Sequence, residues 1–186
     1  MLATPNFTLA ILSFKLKAVS VGTMLAGNHA ASKAIKKRVY RRILEYIEIE
    51  GYPTEASASF KESNVSDLVY SIISPILSDF RRKTGRKLRL EREKEIISTD
   101  GETGGMEEFV IIDRISVTEE KFVMVIEGKR DSIGEAMKQC LLSLKDAADN
   151  NGGGEVYGFV TTGDSWRMIT EKSLANCVAC RLAMVH

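Results

Sequence analysis

The stretch Ile126-Glu127-Gly128-Lys129-Arg130 holds the residues best suited to chemistry. Glu127 and Lys129 are two positions apart, so on a strand their side chains share one face. They follow a continuous apolar run, Phe122-Val123-Met124-Val125-Ile126, which predicts a strand covered on both faces. A carboxylate and an ammonium at the end of such a strand are costly unless they pair or hold something. The simplest reading is a plain Glu–Lys pair at a sheet margin. The surroundings point further. An upstream apolar run, Phe109-Val110-Ile111-Ile112, is flanked by Glu107, Glu108 and Asp113. Downstream, Ser132-x-x-Glu135 is a capping box that opens a helix, whose free N–H groups make an anion site. Gln139 follows four residues after Glu135, beside the apolar face of that helix. Two carboxylates, a lysine and an anion pocket are the parts that hold Mg²⁺ against a phosphodiester.

Which upstream carboxylate joins Glu127 depends on the turn between the two strands. A two-residue turn at Thr118-Glu119 pairs Glu127 with Val110 and puts Glu108 on the active face. A three-residue turn pairs Glu127 with Ile111 and puts Asp113 there instead.

The elements that must position these groups follow from periodicity. Ile35, Val39, Ile43 and Ile47 recur every four residues and predict a helix from Ser32 to Gly51-Tyr52-Pro53, with Lys33, Lys37 and Arg41 as a ridge of their own. Val65, Leu68, Val69, Ile72, Ile73, Ile76, Leu77 and Phe80 predict a second helix, starting near Ser63 or Asn64 and ending at Gly85. Pro75 lies within it and is expected to kink or split it. Residues 87–97 read as a polar strand and 100–105 as a loop. An antiparallel hairpin then spans 109–116 and 121–128. A helix over 133–148 follows, then strands from Val156 to Thr161 and Trp166 to Thr170, with Gly163 in the turn. The order predicts an α/β fold: a central mixed sheet with helices on its faces.

Composition sets the bounds. The chain has 186 residues, 44% hydrophobic and 27% charged, which suits one globular domain and excludes disordered, collagen-like and multi-span membrane classes. Lys and Arg number 26 against 25 Asp and Glu, so net charge does not select a partner. Its distribution is uneven: residues 29–94 hold 15 basic and 9 acidic side chains, whereas 95–150 hold 6 and 13. That suits a protein gripping an anion with one part and a cation with the other, although two solvated faces of opposite sign explain it more plainly. Three cysteines, Cys140, Cys177 and Cys180, build no disulfide framework, and a reduced intracellular chain, cytoplasmic or nuclear, is expected. Cys177-x-x-Cys180 has no histidine at finger spacing, since only His29 and His186 exist. The run Phe7 to Phe14 resembles a short signal core but lacks a preceding basic segment, and Lys15 and Lys17 follow it, so secretion is the minor reading. No transmembrane run is present.

The apolar strand, Glu127-x-Lys129 and a following helix with Gln139 together resemble the PD-(D/E)xK nuclease superfamily, the restriction-endonuclease-like fold. The stretch Val156-Tyr157-Gly158-Phe159-Val160-Thr161-Thr162-Gly163-Asp164-Ser165-Trp166 is similar to the strand–turn–Trp segment of type I restriction subunits and of fungal relatives. The resemblance covers about residues 60–170. It implies an α-β-β-β-α-β core over 61–170, an N-terminal arm over 1–30, a basic helix and connector over 31–60, and a tail over 171–186.

The resemblance also implies roles. Glu127 and the Gly128 carbonyl would be ligands of one or two Mg²⁺ or Mn²⁺ ions. Lys129 would orient the attacking water or stabilise the phosphate, and Gln139 would fix the lysine or the substrate. Glu62, on the first core helix, would add an acid. Glu108 stands where relatives carry aspartate, one methylene longer, with Asp113 as its rival; Gln139-x-x-x-Ser143 departs from the usual tyrosine. The implied activity is phosphodiester hydrolysis, with a non-cleaving module that binds nucleic acid or a protein as the alternative. The implied partners are nucleic acid, DNA ahead of RNA, and a second copy as a homodimer. Lys33, Lys37, Arg41, Arg81, Arg82, Lys83 and Arg130 would meet phosphates, with Lys36, Arg42, Arg86 and Lys87 nearby.

Overall fold

The computed structural model describes residues 33–53 and 60–170. The expectations for the arm, for the signal-like run, for Cys177 and Cys180 and for the tail lie outside those residues.

Amphipathic spacing gives the first two helices. Helix α1, Lys33–Glu50, buries Ile35, Val39, Ile43, Tyr46 and Ile47 and leaves Lys33, Lys37 and Arg41 exposed. Helix α2, Glu62–Thr84, starts one residue ahead of the expected range. Asn64 ties its start to the end of α1: its side chain accepts from the Lys61 N–H and donates to Glu50, both at 2.8 Å, and its carbonyl accepts from the Tyr46 hydroxyl. The expected split at Pro75 does not occur. The helix runs unbroken past a buried Pro75, because its apolar face is packed on both sides of the lost hydrogen bond. Gly85 ends it in the left-handed conformation, φ 70°, donating to the Arg81 carbonyl.

Five strands form one mixed sheet in the order β1 (Leu88–Ile97), β2 (Gly104–Arg114), β3 (Glu120–Gly128), β4 (Tyr157–Thr161), β5 (Trp166–Ile169). Only β3 and β4 run parallel. Their connection is the crossover that parallel neighbours require, and it carries helix α3, Ile133–Asn150. Ser132 caps α3 as the sequence predicts, accepting from the Glu135 N–H.

The sheet is buried on both sides. Phe109, Ile111, Met124, Ile126 and Phe159 pack beneath α1 and α2, while Val110, Ile112, Val125 and Val160 pack beneath Ala136, Cys140 and Leu144 of α3. Gly158 makes the α3 contact possible: a Cβ there would stand 2.6 Å from Leu144 Cδ1. The expected α/β class and central mixed sheet are borne out. No helix among the described residues is long and apolar enough to cross a membrane.

Candidate functional site

The hairpin register corrects both turn models. Phe109 faces Ile126 and Val110 faces Val125, so Glu127 lies beyond both expected partners, Val110 and Ile111. The loop is longer than expected, since Arg114 pairs with Glu120, and the register shifts by one between Ile111 and Ile112. Glu108 and Glu127 are therefore the next residues past the Phe109–Ile126 pair, and the Glu108 N–H reaches Glu127 Oε2 at 3.5 Å. Asp113 is at the other end of β2, opposite Lys121, and holds Arg86 at 2.7 Å. It does not join Glu127.

Glu107 and Glu108 face opposite ways, as strand neighbours do, but Glu108 shares the α2 face with Phe109, a break in alternation opposite Glu93 of β1. Arg92 pairs with Phe109 and Lys94 with Glu107, while Glu93 between them adopts a left-handed φ of 50°. Glu108 turns toward α2. One carboxylate oxygen accepts from the Ser66 hydroxyl and the other from the Gly128 N–H at 2.6 Å. Burial pushes its pKa up, and these two hydrogen bonds offset part of that. A Cβ on Gly128 would run into the same Glu108 oxygen, so glycine at the centre of Glu-Gly-Lys is what lets the carboxylate approach.

Glu107 turns toward α3 and is fully buried. Burial pushes its carboxyl up to about 7; Glu127 and Asp146 push the same way, and Ser143 and Lys129 offset them only partly. Although Ser143 is close, its hydroxyl donates to the Gln139 carbonyl at 3.0 Å. Both Glu107 oxygens are thus left without a hydrogen-bond donor, a state that native proteins seldom leave uncompensated.

Lys129 Nζ stands 2.9 Å from Glu127 Oε1 and 4.0 Å from Glu62 Oε1. Partial burial would lower its pKa; the hydrogen bond and charge of Glu127, with Glu62 and Glu108 behind it, outweigh that and raise it. Its backbone N–H donates to Thr161 at 2.9 Å, anchoring it to the end of β4. Arg130 follows it, half-buried. The β4–β5 turn closes against α2, because Gly163 packs on Leu68 and Val65, and Trp166 Nε1 donates to the Gly163 carbonyl at 3.1 Å.

Glu62, Glu108, Glu127, Gly128 and Lys129 are thus brought together. Gln139 is on the margin, tied to the Met106 carbonyl at 3.1 Å rather than to Lys129. Arg81, Arg82 and Lys83 are not part of the group. They occupy the last turn of α2, ~28 Å along the helix axis from Glu62 at 1.5 Å per residue. Asp79 holds Arg82 at 3.0 Å and Lys83 at 2.7 Å. Two residues lacked an assigned role in the sequence reading. Ser66 had a visible signal, a polar side chain one turn after Glu62 on a helix whose inner face is mostly apolar. Glu107 had only its adjacency to Glu108, because its direction depends on the irregularity at Glu93.

The donors present are of the kind a hard divalent cation takes: carboxylate oxygens, a main-chain carbonyl, and the buried Glu107, whose oxygens have no hydrogen-bond donor. Among the described residues no group of three or more His, Cys, Asp or Glu is disposed to hold a metal ion. The residues that could hold such a cation are Glu127 and one further carboxylate, with water and phosphate oxygens needed to complete its shell.

Compared with protein-family models, with curated proteins and with solved structures, the chain matches none.

Proposed function

We propose that this chain hydrolyses phosphodiester bonds of nucleic acid, DNA ahead of RNA, on a restriction-endonuclease-like core. Support comes from the crowding around Lys129. One ammonium faces Glu127 and Glu62 directly and two further carboxylates, Glu107 and Glu108, within electrostatic reach. Glu127 and Glu62 already outnumber the one lysine, and ionising Glu108 or Glu107, whose pKa values burial raises, adds negative charge that a cation sharing the site would offset.

The roles follow from position. Glu127, with the Gly128 carbonyl and Glu108, would hold Mg²⁺ or Mn²⁺, which when bound supplies positive charge for the phosphate and lowers the pKa of water. Lys129 lets go of Glu127 and turns to the phosphate, where its charge meets the negative charge that builds on the non-bridging oxygens. Water oxygen bonds to phosphorus, the ester P–O bond breaks, and the proton that the water gives up ends on the departing oxygen, so that a hydroxyl and a phosphate monoester leave. Ser66 and the Gly128 N–H keep Glu108 in place while Lys129 moves.

One observation favours the second reading, a nuclease-fold module that binds without cutting. Both Glu108 oxygens are already engaged, by Ser66 and by Gly128. Magnesium-dependent cleavage, assayed beside binding in chelator, separates the two.

A further inference from the structure

Strand β1 changes phase partway along. Leu88 and Leu90 pack on the α2 side, and the Arg92 guanidinium joins them there, 5.1 Å from the Phe109 ring centre and 3.3 Å from Asp67 of α2. Alternation would carry Lys94 and Ile96 to that same face. Ile96 is instead buried with Ala136, Cys140 and Leu144 on the α3 side. Strand β2 breaks at the matching point. Phe109 and Ile111 face α2, so alternation would send Glu107 toward α2 and both Met106 and Glu108 toward α3. Glu107 lies beside Ser143 of α3, and Glu108 reaches Ser66 of α2. Glu93 and Glu108 stand between the pairs Arg92–Phe109 and Lys94–Glu107 and are not paired with one another, and Glu93 has a φ of 50°.

Hydrophobic packing does not explain the break. It buries Glu107 completely, with neither carboxylate oxygen given a donor, and it turns Met106 out to 58% exposure. Straight alternation would put Met106 beneath α3 and Glu107 on the open face that Met106 now holds, which apolar burial favours. In β1 the exchange is even, with Ile96 in and Ile97 out. Glu93 adds a backbone conformation that few residues other than glycine and asparagine adopt readily. Strain of this kind persists only where the surrounding structure over-determines it, and it clusters at functional sites. The gain is at the end of β3. Glu127 shares the α3 face with Val125 by alternation. The break therefore brings Glu107 to the face of Glu127 and leaves Glu108 to Ser66 and the Gly128 N–H on the other.

We propose that Glu93 is a positioning residue. Its left-handed backbone, and not its carboxylate, sets the phase of β1 and β2 and so places Glu107 and Glu108 on opposite faces of the sheet beside Glu127. The Glu93 side chain is exposed, so the role lies in its φ. A residue that favours extended backbone at this position should restore plain alternation and draw Glu108 away from Ser66 and Gly128; glycine or asparagine should not. What the placement serves rests on the hydrolase reading, whereas the placement itself does not.

The test is amide hydrogen exchange of the full chain in chelator, read residue by residue by NMR. The Gly128 N–H, which donates to Glu108 at 2.6 Å, is compared with the Lys129 N–H, which donates to Thr161 at 2.9 Å. Taking the ratio of the two rates removes changes in global stability. Glu93→Val should raise the Gly128-to-Lys129 ratio roughly tenfold or more, the scale of one lost hydrogen bond to a carboxylate. Glu108→Ala should do the same, while Glu93→Gly and Glu93→Asn should keep the wild-type ratio. If Glu93→Val does not fold, Glu93→Ala, less hindered at positive φ, takes its place. Failure of both to fold overturns the proposal, since the phase would then be a condition of folding rather than of the site. An unchanged ratio in Glu108→Ala or in the folded valine or alanine variant, or a raised ratio in Glu93→Gly or Glu93→Asn, overturns it as well. Because neither metal nor nucleic acid is present, a chain that never cuts refutes the hydrolase reading and leaves this result standing.

Discussion

The Gly128 N–H donates to Glu108 Oε2 at 2.6 Å, and the missing Cβ of Gly128 is what admits that oxygen. The middle residue of Glu-Gly-Lys therefore fixes the upstream carboxylate of the same site. Gly128→Ala should displace Glu108 and release the Ser66 hydroxyl. The expected cost is about 1–3 kcal/mol of stability, as for other overpacked buried positions. Denaturant unfolding would measure it, and Ser66→Ala should lessen the additional effect of Gly128→Ala, because both act through Glu108.

Glu107 predicts an unusual pH dependence. Its carboxyl titrates at about 7 in the folded chain against an ordinary 4.5. The folded state keeps a proton that the unfolded chain releases, so this contribution to stability is full below the unfolded value and is lost as pH rises through about 7. The burial-raised carboxyl of Glu108 acts in the same direction. Metal-free protein should lose melting temperature between about pH 5 and about pH 8. Glu107→Gln should flatten that loss and gain up to ~3 kcal/mol at the upper end. A wild-type melting temperature that rises over the same interval contradicts the prediction.

The site's sequence signature was local, and that is why it was readable. Glu127 and Lys129 share a strand end, and Ser132 with Glu135 marks the α3 start, so neither needed long-range information. The amphipathic helices were likewise visible in their 3.6 period, and the hairpin strands as short apolar runs. The partner of Glu127 was not visible. It depends on the loop between Arg114 and Glu120, on a register shift at Ile111/Ile112 and on the left-handed Glu93, which together decide where Glu107, Glu108 and Asp113 point. Continuity through Pro75 was also hidden, because tertiary packing outweighs the lost hydrogen bond.

The exposed ridge of α1 makes an electrostatic prediction. If Lys33, Lys37 and Arg41 meet phosphates, replacing all three by alanine should reduce the slope of log affinity against log salt by roughly 2–3 for duplex DNA. Fluorescence anisotropy over a salt series reads this directly. An unchanged slope assigns the ridge to solvent.

Metal dependence separates the roles of Glu127 and Lys129. Mn²⁺ should raise the melting temperature of wild type and of Lys129→Ala, because the lysine is not a ligand. It should raise that of Glu127→Ala much less, if Glu127 is a ligand of the hard cation as proposed. Differential scanning calorimetry with and without metal checks this, and equal shifts in all three proteins would argue against Glu127 as a ligand.

Single-turnover cleavage bears most directly on phosphodiester hydrolysis at Lys129. Labelled duplex and labelled single strand would be incubated with excess wild-type protein or Lys129→Ala, in Mg²⁺, in Mn²⁺ and in chelator. The proposal predicts metal-dependent cutting by wild type and a loss of two or more orders of magnitude in Lys129→Ala, on the scale expected when a charge placed at the reacting phosphate is removed. Wild-type protein that binds both metal and nucleic acid but cuts neither substrate would contradict it.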